Sequence, residues 1–554
     1  MGSHPKEPGR RGQTMAAFAV AVRSPSLARA ELAFGATCVA DWSFTLGLGL
    51  VAFQDGGAGR VGLVAVVRLA PSALLAPMAA ALADRWPRER VLVASSAILT
   101  AAMALSALVV EGSGPTWLAY GLAMMAGIAL TPYRAAHSAL LPSLCRTTSE
   151  LAASNLARGM VESLSVVFGP LMAAVLIDAI GLWSVFAAAG ASAGVAAALV
   201  LRLPYEQPPR LTAPSQRALV VEAVAGVKAA AANPDAALLI GIASVQTFLR
   251  GALNVFTVVL VIDVLGRAES QVGVLQASIG VGAVLGSLVA TRLVATRCMA
   301  AWFGLGVAGW GLAIVLIGAA PGFSRALLML GVVGAANAVL DVTLFTMLGR
   351  VVADDVLARV FGTFESMVAL SVAGGSVAAA VAIELLGTPK AMMALGGLGP
   401  LVVGMARRRL VDLDARLGQA QLGLDQLRSV PMLAALPLAC IEDLARRSTP
   451  RQCPPGAIIV RAGTIGSGYF VVTDGHVEVV EDGQLRRTLG PGEGFGEISL
   501  LRDVRRTVTV RASPAGAHLV AITRGDFVLA VAGYSPAATA AAATIEAWSG
   551  ATSN

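Results

Sequence analysis

The stretch Gly490-Pro-Gly-Glu-Gly-Phe-Gly-Glu-Ile-Ser-Leu-Leu-Arg-Asp-Val-Arg-Arg-Thr-Val-Thr-Val510 decides the fold of the C-terminal part of this chain. Its closely spaced glycines allow backbone N–H groups at the start of a short helix to converge on an anion. The arginines that follow supply a guanidinium fork that can grip phosphate oxygens. The pattern therefore indicates a phosphate-binding segment.

The sequence before this segment has the composition of a membrane protein. Of 554 residues, 56% are hydrophobic and only 14% are charged. Such a chain is too apolar for an ordinary soluble protein and is typical of a polytopic membrane protein, so the lipid bilayer is an expected partner. The formal charge of +7 does not indicate nucleic acid, because the arginines concentrate in short loops between apolar spans.

Twelve apolar spans are predicted, since a bilayer core needs about 20 apolar residues per helix. The spans are 30–53, 61–82, 91–110, 115–136, 157–178, 182–203, 237–263, 271–292, 299–320, 324–348, 360–385 and 388–406. They predict a tail (1–25), a six-helix bundle (26–203), a central loop (204–236) and a second six-helix bundle (237–406).

Alternate loops differ in charge, which predicts the orientation. One set is rich in arginine: Arg85, Arg88 and Arg90; Arg146 and Arg158; Arg202–Arg217; Arg292 and Arg297; Arg350 and Arg359; and Arg407–Arg409. The other set, around Gly56, Gly112, Gly181, Gly266, Gly322 and Gly387, contains little beyond Arg60, Arg267 and Lys390. The positive-inside bias predicts that the arginine-rich loops and both termini face the cytoplasm. A bacterial plasma membrane is the expected location.

Neither metal chemistry nor bond-breaking catalysis is indicated. The five cysteines, at positions 38, 145, 298, 440 and 453, lack metal-ligand spacing, and reduced thiols are expected. The sequence contains no hydrolase or kinase motif. We therefore expect no metal and no enzymatic activity.

The loop between spans two and three has the sequence Ala80-Ala-Leu-Ala-Asp-Arg-Trp-Pro-Arg-Glu-Arg90. It resembles the loop signature of the major facilitator superfamily, with alanine and proline in place of two glycines. The resemblance implies that Asp84 caps a neighbouring helix, while Arg85 and its neighbours form a cytoplasmic charge network that changes with conformation.

Two further segments are similar to proton-coupled drug exporters of that superfamily. Ser165-Val-Val-Phe-Gly-Pro-Leu-Met-Ala-Ala174 resembles their glycine-proline motif, in which small residues allow close helix approach and proline permits a bend. Thr131-Pro-Tyr-Arg134, with Ala139-Leu-Leu-Pro142, resembles the end of their fourth helix. The resemblance covers residues 26–406 and favours export over import.

Ionisable and amide side chains inside the spans indicate a path for a substrate, since such groups are costly in lipid and usually face a cavity. The residues are Asp41, Arg68, Gln246, Arg250, Asn254, Asn337 and Asp341. In the superfamily, the first, fourth, seventh and tenth helices line the central path, and three of these carry such residues. Asp41 and Arg68 either lock two helices together or take part in proton coupling, and the sequence leaves both open. Glu162, Glu365 and His137, nearer the cytoplasmic ends, are expected to reach water.

Glu162 also takes part in a faint internal repeat. Ala157-Arg158, followed by Glu162-Ser163, recurs as Ala358-Arg359, followed by Glu365-Ser366. The spacing is unequal, so the repeat is weak evidence for two related halves.

After a linker (407–428), residues 429–548 predict a β-roll with flanking helices. The clearest strands are Ile458–Val460, Tyr469–Val472 and Val477–Val480, with glycines between them. Pro431–Leu436 is expected to be helical.

This region resembles the cyclic-nucleotide-binding domains of catabolite activators and protein kinase A regulatory subunits. By the family pattern, the site residues are Gly496, Glu497, Ile498, Ser499, Arg506 and Thr507. The resemblance implies that Gly496 and Glu497 hold the ribose hydroxyl, that Ile498 and Ser499 donate backbone N–H groups, and that Arg506 and Thr507 bind the phosphate.

Several positions depart from this family pattern. Arg505 and Val508 replace the usual proline and alanine, which could crowd the pocket. Pro536–Trp548 is expected to form the lid helix, with Ile545 or Trp548 over the base. Both cAMP and cGMP remain possible ligands.

Together these features predict an all-α membrane domain of twelve helices in two repeats of six, followed by the β-roll. The expected function is proton-coupled export of a small amphipathic molecule, regulated by cytosolic cyclic nucleotide. Two alternatives remain open: a non-transporting membrane receptor, and a transporter whose C-terminal domain only mediates assembly.

Overall fold

A computed structural model describes residues 25–145, 148–201, 203, 226–293, 298–352, 354–502 and 504–532. The chain divides into two compact units, one ending at Val411 and the other beginning at Asp412. The N-terminal tail, most of the central loop and the expected lid helix lie outside the described residues.

The first bundle consists of five helices, the first of which contains two of the expected spans. They are α1 (Pro25–Arg85), α2 (Arg88–Glu111), α3 (Thr116–Leu144), α4 (Thr148–Ala179) and α5 (Leu182–Val200). Helix α1 is interrupted by non-helical backbone at Gly56 and Gly57, where φ reaches 67° at Gly57. Glycine adopts such angles without the steric cost of a Cβ atom, so the chain reverses between the first and second spans.

The second bundle is also made of consecutive long helices, followed by a shorter helix and a final long one. Its helices are α6 (Pro234–Val259, continued by a π-helical turn Leu260–Val264), α7 (Ser270–Leu293), α8 (Met299–Ala319), α9 (Phe323–Val351), α10 (Asp354–Leu386), α11 (Thr388–Gly396) and α12 (Leu398–Ser429). Asn233 caps α6 by accepting hydrogen bonds from the backbone N–H groups of Asp235 and Ala236. The expected linker 407–428 lies within α12.

Ten helices in the described part of the chain are long and apolar enough to cross a membrane. Helix α1 counts once although it contains two expected spans, and α3 is not among the ten. Thr131, Arg134 and His137 interrupt the apolar sequence of α3. The fold is that of a helical multi-pass membrane protein, and the count of twelve stays a prediction.

Small residues bring neighbouring helices into backbone contact. A Cβ atom at Gly334 of α9 would lie 1.8 Å from the carbonyl oxygen of Ile279 in α7. One at Gly169 of α4 would lie 2.7 Å from the Cβ atom of Trp42 in α1, which agrees with the close approach expected from the glycine-proline segment. Glycine at these positions permits the tight packing typical of membrane helices.

The two bundles share one hydrophobic core toward the glycine-containing loops. Phe44, Val61 and Phe186 of the first bundle belong to the same buried cluster as Leu253 and Phe256 of the second. Toward the arginine-rich loops, the first bundle has a separate core of its own, formed by Phe34, Val91, Tyr133, Leu140, Val200 and neighbouring residues. The halves therefore meet through apolar side chains at the glycine-loop end.

The C-terminal unit contains an antiparallel sheet of six strands. They are β1 (Thr449–Cys453), β2 (Ile458–Val460), β3 (Gly468–Glu481), β4 (Gln484–Leu489), β5 (Gly494–Phe495) and β6 (Thr509–Thr523), in the order β1-β6-β3-β4, with β2 on β6 and β5 on β3. Short helices flank the sheet: α13 (Pro431–Ala434), α14 (Leu438–Arg447), α15 (Glu497–Leu501) and α16 (Arg524–Ala532).

The expectation of two separate strands at Tyr469–Val472 and Val477–Val480 was wrong. Both belong to β3, which pairs with β6 along its length. The register shifts on either side of Gly475, whose φ of 75° produces an irregularity in the strand. Hydrogen bonding between β3 and β6 continues beyond Gly475, so the glycine bends β3 but does not end it.

Candidate functional site

The phosphate-binding segment turns from a strand into a helix at a glycine whose backbone has a left-handed conformation. Gly496, with φ 105°, follows β5 and begins α15. Arg506 donates hydrogen bonds to the carbonyl oxygens of Gly496 (2.9 Å) and Gly468 (2.6 Å). Although it is charged, Arg506 is only 7% exposed. The arginine is therefore held beside the first turn of α15.

Glu497 is buried in the same turn. It is 4% exposed, and its Oε2 atom has no hydrogen-bond partner among the described residues. Burial raises the pKa of Glu497, while backbone donors and the Arg506 charge oppose the rise. Burial also lowers the pKa of Arg506, opposed by Glu497. A buried acceptor with one unused oxygen thus lies near a buried guanidinium.

A glycine-rich loop closes the other side of this arginine. A Cβ atom at Gly466 would lie 2.4 Å from Ser499 Oγ and 3.3 Å from Arg506 Cζ. Ser499 is itself buried and donates to the Gly496 carbonyl oxygen at 3.3 Å. The sequence analysis did not assign Gly466 or Gly468 to the site, although the spacing Gly463-Thr-Ile-Gly-Ser-Gly468 was a usable signal.

The remaining expected nucleotide residues lie nearer the surface. Ile498 is half-buried and Thr507 is exposed. Arg505 is exposed as well, and its guanidinium donates to the Gly463 carbonyl oxygen at 2.8 Å.

A cavity of about 380 Å³ opens beside Arg506. It is lined by Arg451, Ile458, Ile459, Val460, Arg461, Thr464, Ile465, Ser467, Phe470 and Arg506. Its size falls in the range of small-molecule sites, about 300–1,000 Å³. The lining combines apolar side chains with three arginines and two hydroxyl side chains, which suits a small anionic ligand, although Glu497 is not part of it.

In the membrane unit, Asp41 and Arg68 are in contact, as their positions on successive spans predict. The Arg68 guanidinium donates to the Asp41 carboxylate and to the Thr45 hydroxyl. The Thr45 hydroxyl in turn donates to the Asp41 backbone carbonyl at 2.6 Å. Arg68 is only 8% exposed, so this ion pair lies inside the first bundle.

The polar residues of α6 and α9 form a chain of hydrogen bonds. Gln246 Nε2 donates to Asn337 Oδ1 at 3.1 Å, and Asn337 Nδ2 donates to Asp341 Oδ2 at 2.7 Å. Arg250 lies over the ring of Trp42 on α1, 5.9 Å from its centroid. Asn254 is half-buried one turn further along α6.

Charged residues from both bundles lie in the neighbourhood of Asp341. We call Arg134, Glu162, Arg250, Asp341 and Glu365 the central charged cluster. Arg134 and Glu162 form an ion pair at 3.3 Å, with 41% of each side chain exposed. The charges of Arg250, Glu162 and Glu365 all act on the Asp341 carboxylate. The sequence analysis expected Glu162 and Glu365 to reach water, and Glu162 is partly exposed and Glu365 exposed. Their echo between the two halves is the sequence feature that links them.

His137 does not reach water as expected. Its ring is 1% exposed and stacks on Phe34, with the centroids 4.5 Å apart. Helix α1 packs against α3 and covers the His137 ring, and the histidine side chain is too short to reach solvent past it. The side chains of Asp84 and Arg85 lie outside the described part of the structure. Within the described residues, no three His, Cys, Asp or Glu side chains could hold a metal ion.

Two segments of the chain match known families. Residues 32–376 match the Major Facilitator Superfamily, and residues 450–532 match the cyclic nucleotide-binding domain. These families comprise a transporter fold and a ligand-binding module, in agreement with the prediction that the chain is not an enzyme. The helical unit has the fold of the nucleoside transporter NupG, with a TM-score of 0.57 at 14% identity over 70% of this chain and 99% of that structure.

The curated relatives match through the C-terminal domain. A cyclic nucleotide-gated potassium channel of Mesorhizobium japonicum is 33% identical over 109 residues, which are 19% of this chain and 30% of the channel. The cAMP-dependent protein kinase regulatory subunit of Schizosaccharomyces pombe is 33% identical over 87 residues, 16% of this chain and 21% of that protein. The chain thus spans less than a third of the length of either relative.

Proposed function

Because the chain belongs to the major facilitator superfamily, we propose that it is a secondary active transporter whose activity is set by a cyclic nucleotide bound at its C-terminal domain. The observation that carries the regulatory part is the buried pair Glu497 and Arg506. Among the described residues, Glu497 has an unused acceptor oxygen, and the hydrogen bonds of Arg506 go to neutral carbonyl groups. A cyclic nucleotide carries a hydroxyl donor that suits this carboxyl and an anion that suits this guanidinium.

The described residues fit that ligand. Glu497 Oε2 would accept a ribose hydroxyl, the Arg506 guanidinium would bind the phosphate, and the backbone N–H groups of Ile498 and Ser499 would donate to it. A Cβ atom at Gly466 would clash with Ser499 and one at Gly496 with Arg506, so glycine at both positions lets these groups pack closely at the site. The nucleotide is not itself transported or consumed. It shifts the equilibrium between two conformations of the transporter because it binds one of them more tightly than the other. Both cAMP and cGMP satisfy these groups.

The transport path is proposed to run through the central charged cluster and the chain Gln246, Asn337 and Asp341. Polar groups at this depth are tolerated where they face a water-accessible cavity between the bundles. Arg134 and Glu162 are both substantially exposed there. The shared apolar core at the glycine-loop end supports a conformation that is closed on that side.

The direction of transport, its coupling to protons, the substrate class and the orientation in the membrane are proposed from the sequence. The segment around Gly169 and Pro170 favours export, and Asp41 is a proposed proton-coupling residue on the first span. The substrate is proposed to be a small amphipathic molecule. Both termini would lie in the cytoplasm of a bacterium, where cyclic nucleotides are available to the C-terminal domain.

Reconstituted full-length protein tests the proposal. A screen for compounds that raise the unfolding temperature, with and without cAMP or cGMP, would identify a substrate, and flux into proteoliposomes would then be measured. Coupling between sites is typically about 1–3 kcal/mol, so saturating nucleotide is expected to change flux or substrate affinity by about 5- to 150-fold. Reciprocity requires the substrate to change nucleotide affinity by the same factor as nucleotide changes substrate affinity.

Two controls accompany this measurement. Arg506→Ala and truncation after Val411 should each abolish the response to nucleotide while transport remains. Truncation at Val411 is preferable to an earlier end, because Leu410 is buried and packs beside Gly304 of α8. Substrate binding without flux would favour a receptor, and equal nucleotide affinity with and without saturating substrate would favour a domain that only mediates assembly.

A further inference from the structure

Three buried polar side chains of the first bundle have unused hydrogen-bonding atoms in the region between α1, α3 and α4. They are Glu31, Tyr133 and His137, which are 5%, 0% and 1% exposed. Glu31 Oε2, Tyr133 Oη and His137 Nδ1 have no hydrogen-bond partner among the described residues. Nothing in the path proposed above uses these groups.

Glu31 is held by a neutral partner. Its Oε1 atom accepts a hydrogen bond of 2.8 Å from the hydroxyl of Ser154, a residue of α4 that is fully buried. Within the described part of the chain, Glu31 forms no ion pair. Asp41, ten residues further along α1, differs in this respect because it is paired with Arg68.

The nearest cation on α4 is engaged elsewhere. Arg158 lies one turn beyond Ser154 and donates to Ser138 Oγ at 2.8 Å. Its guanidinium also lies over the Phe34 ring, 5.1 Å from the centroid. Arg158 therefore acts on Glu31 through its electrostatic field and does not contact the carboxyl group.

The other groups around Glu31 are neutral or are hydrogen-bonded elsewhere. His137 Nε2 faces the Ala30 carbonyl oxygen at 3.3 Å, so Nε2 carries the hydrogen and Nδ1 presents a lone pair. The Tyr133 ring is nearly parallel to the His137 ring, with the ring centroids 6.4 Å apart. The Cys145 thiol at the end of α3 also lies near Glu31. On its own helix, Arg29 is directed to the carbonyl oxygens of Leu199 and Leu201.

We propose that Glu31 is a proton-binding residue of the transporter and carries its proton in the conformation described. A buried carboxylate that has one hydroxyl donor and no contacting counter-charge among the described residues is much less stable than the neutral acid. Ionisation breaks the O–H bond, leaves the electron pair on the carboxylate and transfers the proton to water. It therefore requires separation of α1 from α4, which would let water or Arg158 reach Oε2.

The protonation of Glu31 stands independently of transport, whereas its coupling role rests on the proposed function. Infrared spectra of the full-length protein in lipid nanodiscs at neutral pH separate the two. A protonated carboxyl gives a carbonyl-stretch band that an ionised carboxylate lacks. This band is expected in the wild type and should disappear in Glu31→Gln, which keeps the size and neutrality of the side chain.

Two further variants make the assignment specific. Ser154→Ala removes the hydrogen bond to the same carboxyl and should shift the band without abolishing it. Glu111→Gln, at the exposed end of α2, should leave the band unchanged. A wild-type spectrum identical in this region to that of Glu31→Gln would show that Glu31 is ionised and would overturn the proposal, as would a band insensitive to Ser154→Ala.

The coupling role is tested by flux driven by a pH gradient. Glu31→Gln should retain substrate binding and lose the stimulation by the gradient, whereas Glu111→Gln should retain both. If the infrared band is assigned to Glu31 but no flux of any substrate is found, transport fails and the proton site stands. Gradient-driven flux of unchanged rate in Glu31→Gln would overturn the coupling role.

Discussion

The Arg506 guanidinium donates a hydrogen bond of 2.6 Å to the carbonyl oxygen of Gly468, 38 residues earlier in the chain. A second hydrogen bond, to Gly496, is equally directed at a neutral acceptor. Among the described residues, no carboxylate forms an ion pair with Arg506. The contacts fix the position of the guanidinium without neutralising its charge, which is the arrangement that a phosphate ligand requires.

Arg506→Ala is expected to weaken cyclic nucleotide binding by about 2–5 kcal/mol, by analogy with buried charge pairs that lose one partner. Isothermal titration calorimetry on the full-length protein measures this change. Arg486→Ala is the matched control, since that arginine is exposed on β4 and pairs with Glu481 at 3.1 Å. Equal affinities for wild type and Arg506→Ala would remove Arg506 from the site.

Gly494→Ala is expected to destabilise the C-terminal domain by about 1–3 kcal/mol through overpacking. The added Cβ atom would lie 1.9 Å from the Tyr469 hydroxyl oxygen. Tyr469 cannot swing aside, because it is 2% exposed and stacks on Phe527 with the ring centroids 4.5 Å apart. The domain's melting temperature measures the effect.

Gly525→Ala provides the control for that substitution. Gly525 lies in α16, and nothing lies within 4 Å of the position that its Cβ atom would occupy. Replacing a helical glycine by alanine gains up to about 1 kcal/mol, so this variant should melt at the same or a higher temperature. Equal losses in both alanine variants would contradict the packing around Tyr469.

The buried Glu497 predicts a pH dependence of domain stability. Its pKa is raised in the folded state, so the folded protein binds more protons than the unfolded chain between the two pKa values. The stability contribution is thus fully present below the ordinary glutamate value of about 4.3 and is lost as pH rises through the raised pKa. Chemical denaturation across this range should show a slope that Glu497→Gln removes. A slope of opposite sign would mean that the carboxylate is stabilised by folding.

Asp41→Asn is expected to abolish flux driven by a pH gradient while substrate binding remains, if Asp41 titrates during transport. The amide can still accept from Arg68, so the fold should persist. Uptake into inverted vesicles measures the flux. Normal gradient-driven uptake would leave Asp41 as a structural partner of Arg68.

Arg68→Met tests the contribution of the Asp41–Arg68 ion pair to stability. It would leave the Asp41 carboxylate without its counter-charge inside the bundle, and removal of one partner of a buried pair typically costs about 3–5 kcal/mol. The double variant Asp41→Asn with Arg68→Met should recover part of that loss. Thermal unfolding of the purified variants gives the comparison, and additive losses would show that the two residues do not stabilise each other.

The sequence predicted sites whose residues are close along the chain. Gly496, Glu497, Ser499 and Arg506 lie within one short segment that the resemblance to cyclic-nucleotide-binding domains assigned to a common site, and the structure brings them together. Asp41 and Arg68 belong to spans joined by a short turn, and antiparallel neighbours placed their side chains within reach. Gln246 and Asn337 were also assigned to facing helices, on the resemblance to the superfamily.

What the sequence by itself determined was the division into an apolar helical part and a glycine-punctuated β-roll, because hydrophobic periodicity and turn residues act locally. Only the tertiary structure decided that Glu162 and Glu365 of different bundles act on Asp341, and that Glu31 is buried beside Ser154, 123 residues away. It also decided that His137 is covered by Phe34. These contacts depend on which faces of distant helices pack together, and the packing is set by many small residues at once, so no local pattern encodes it.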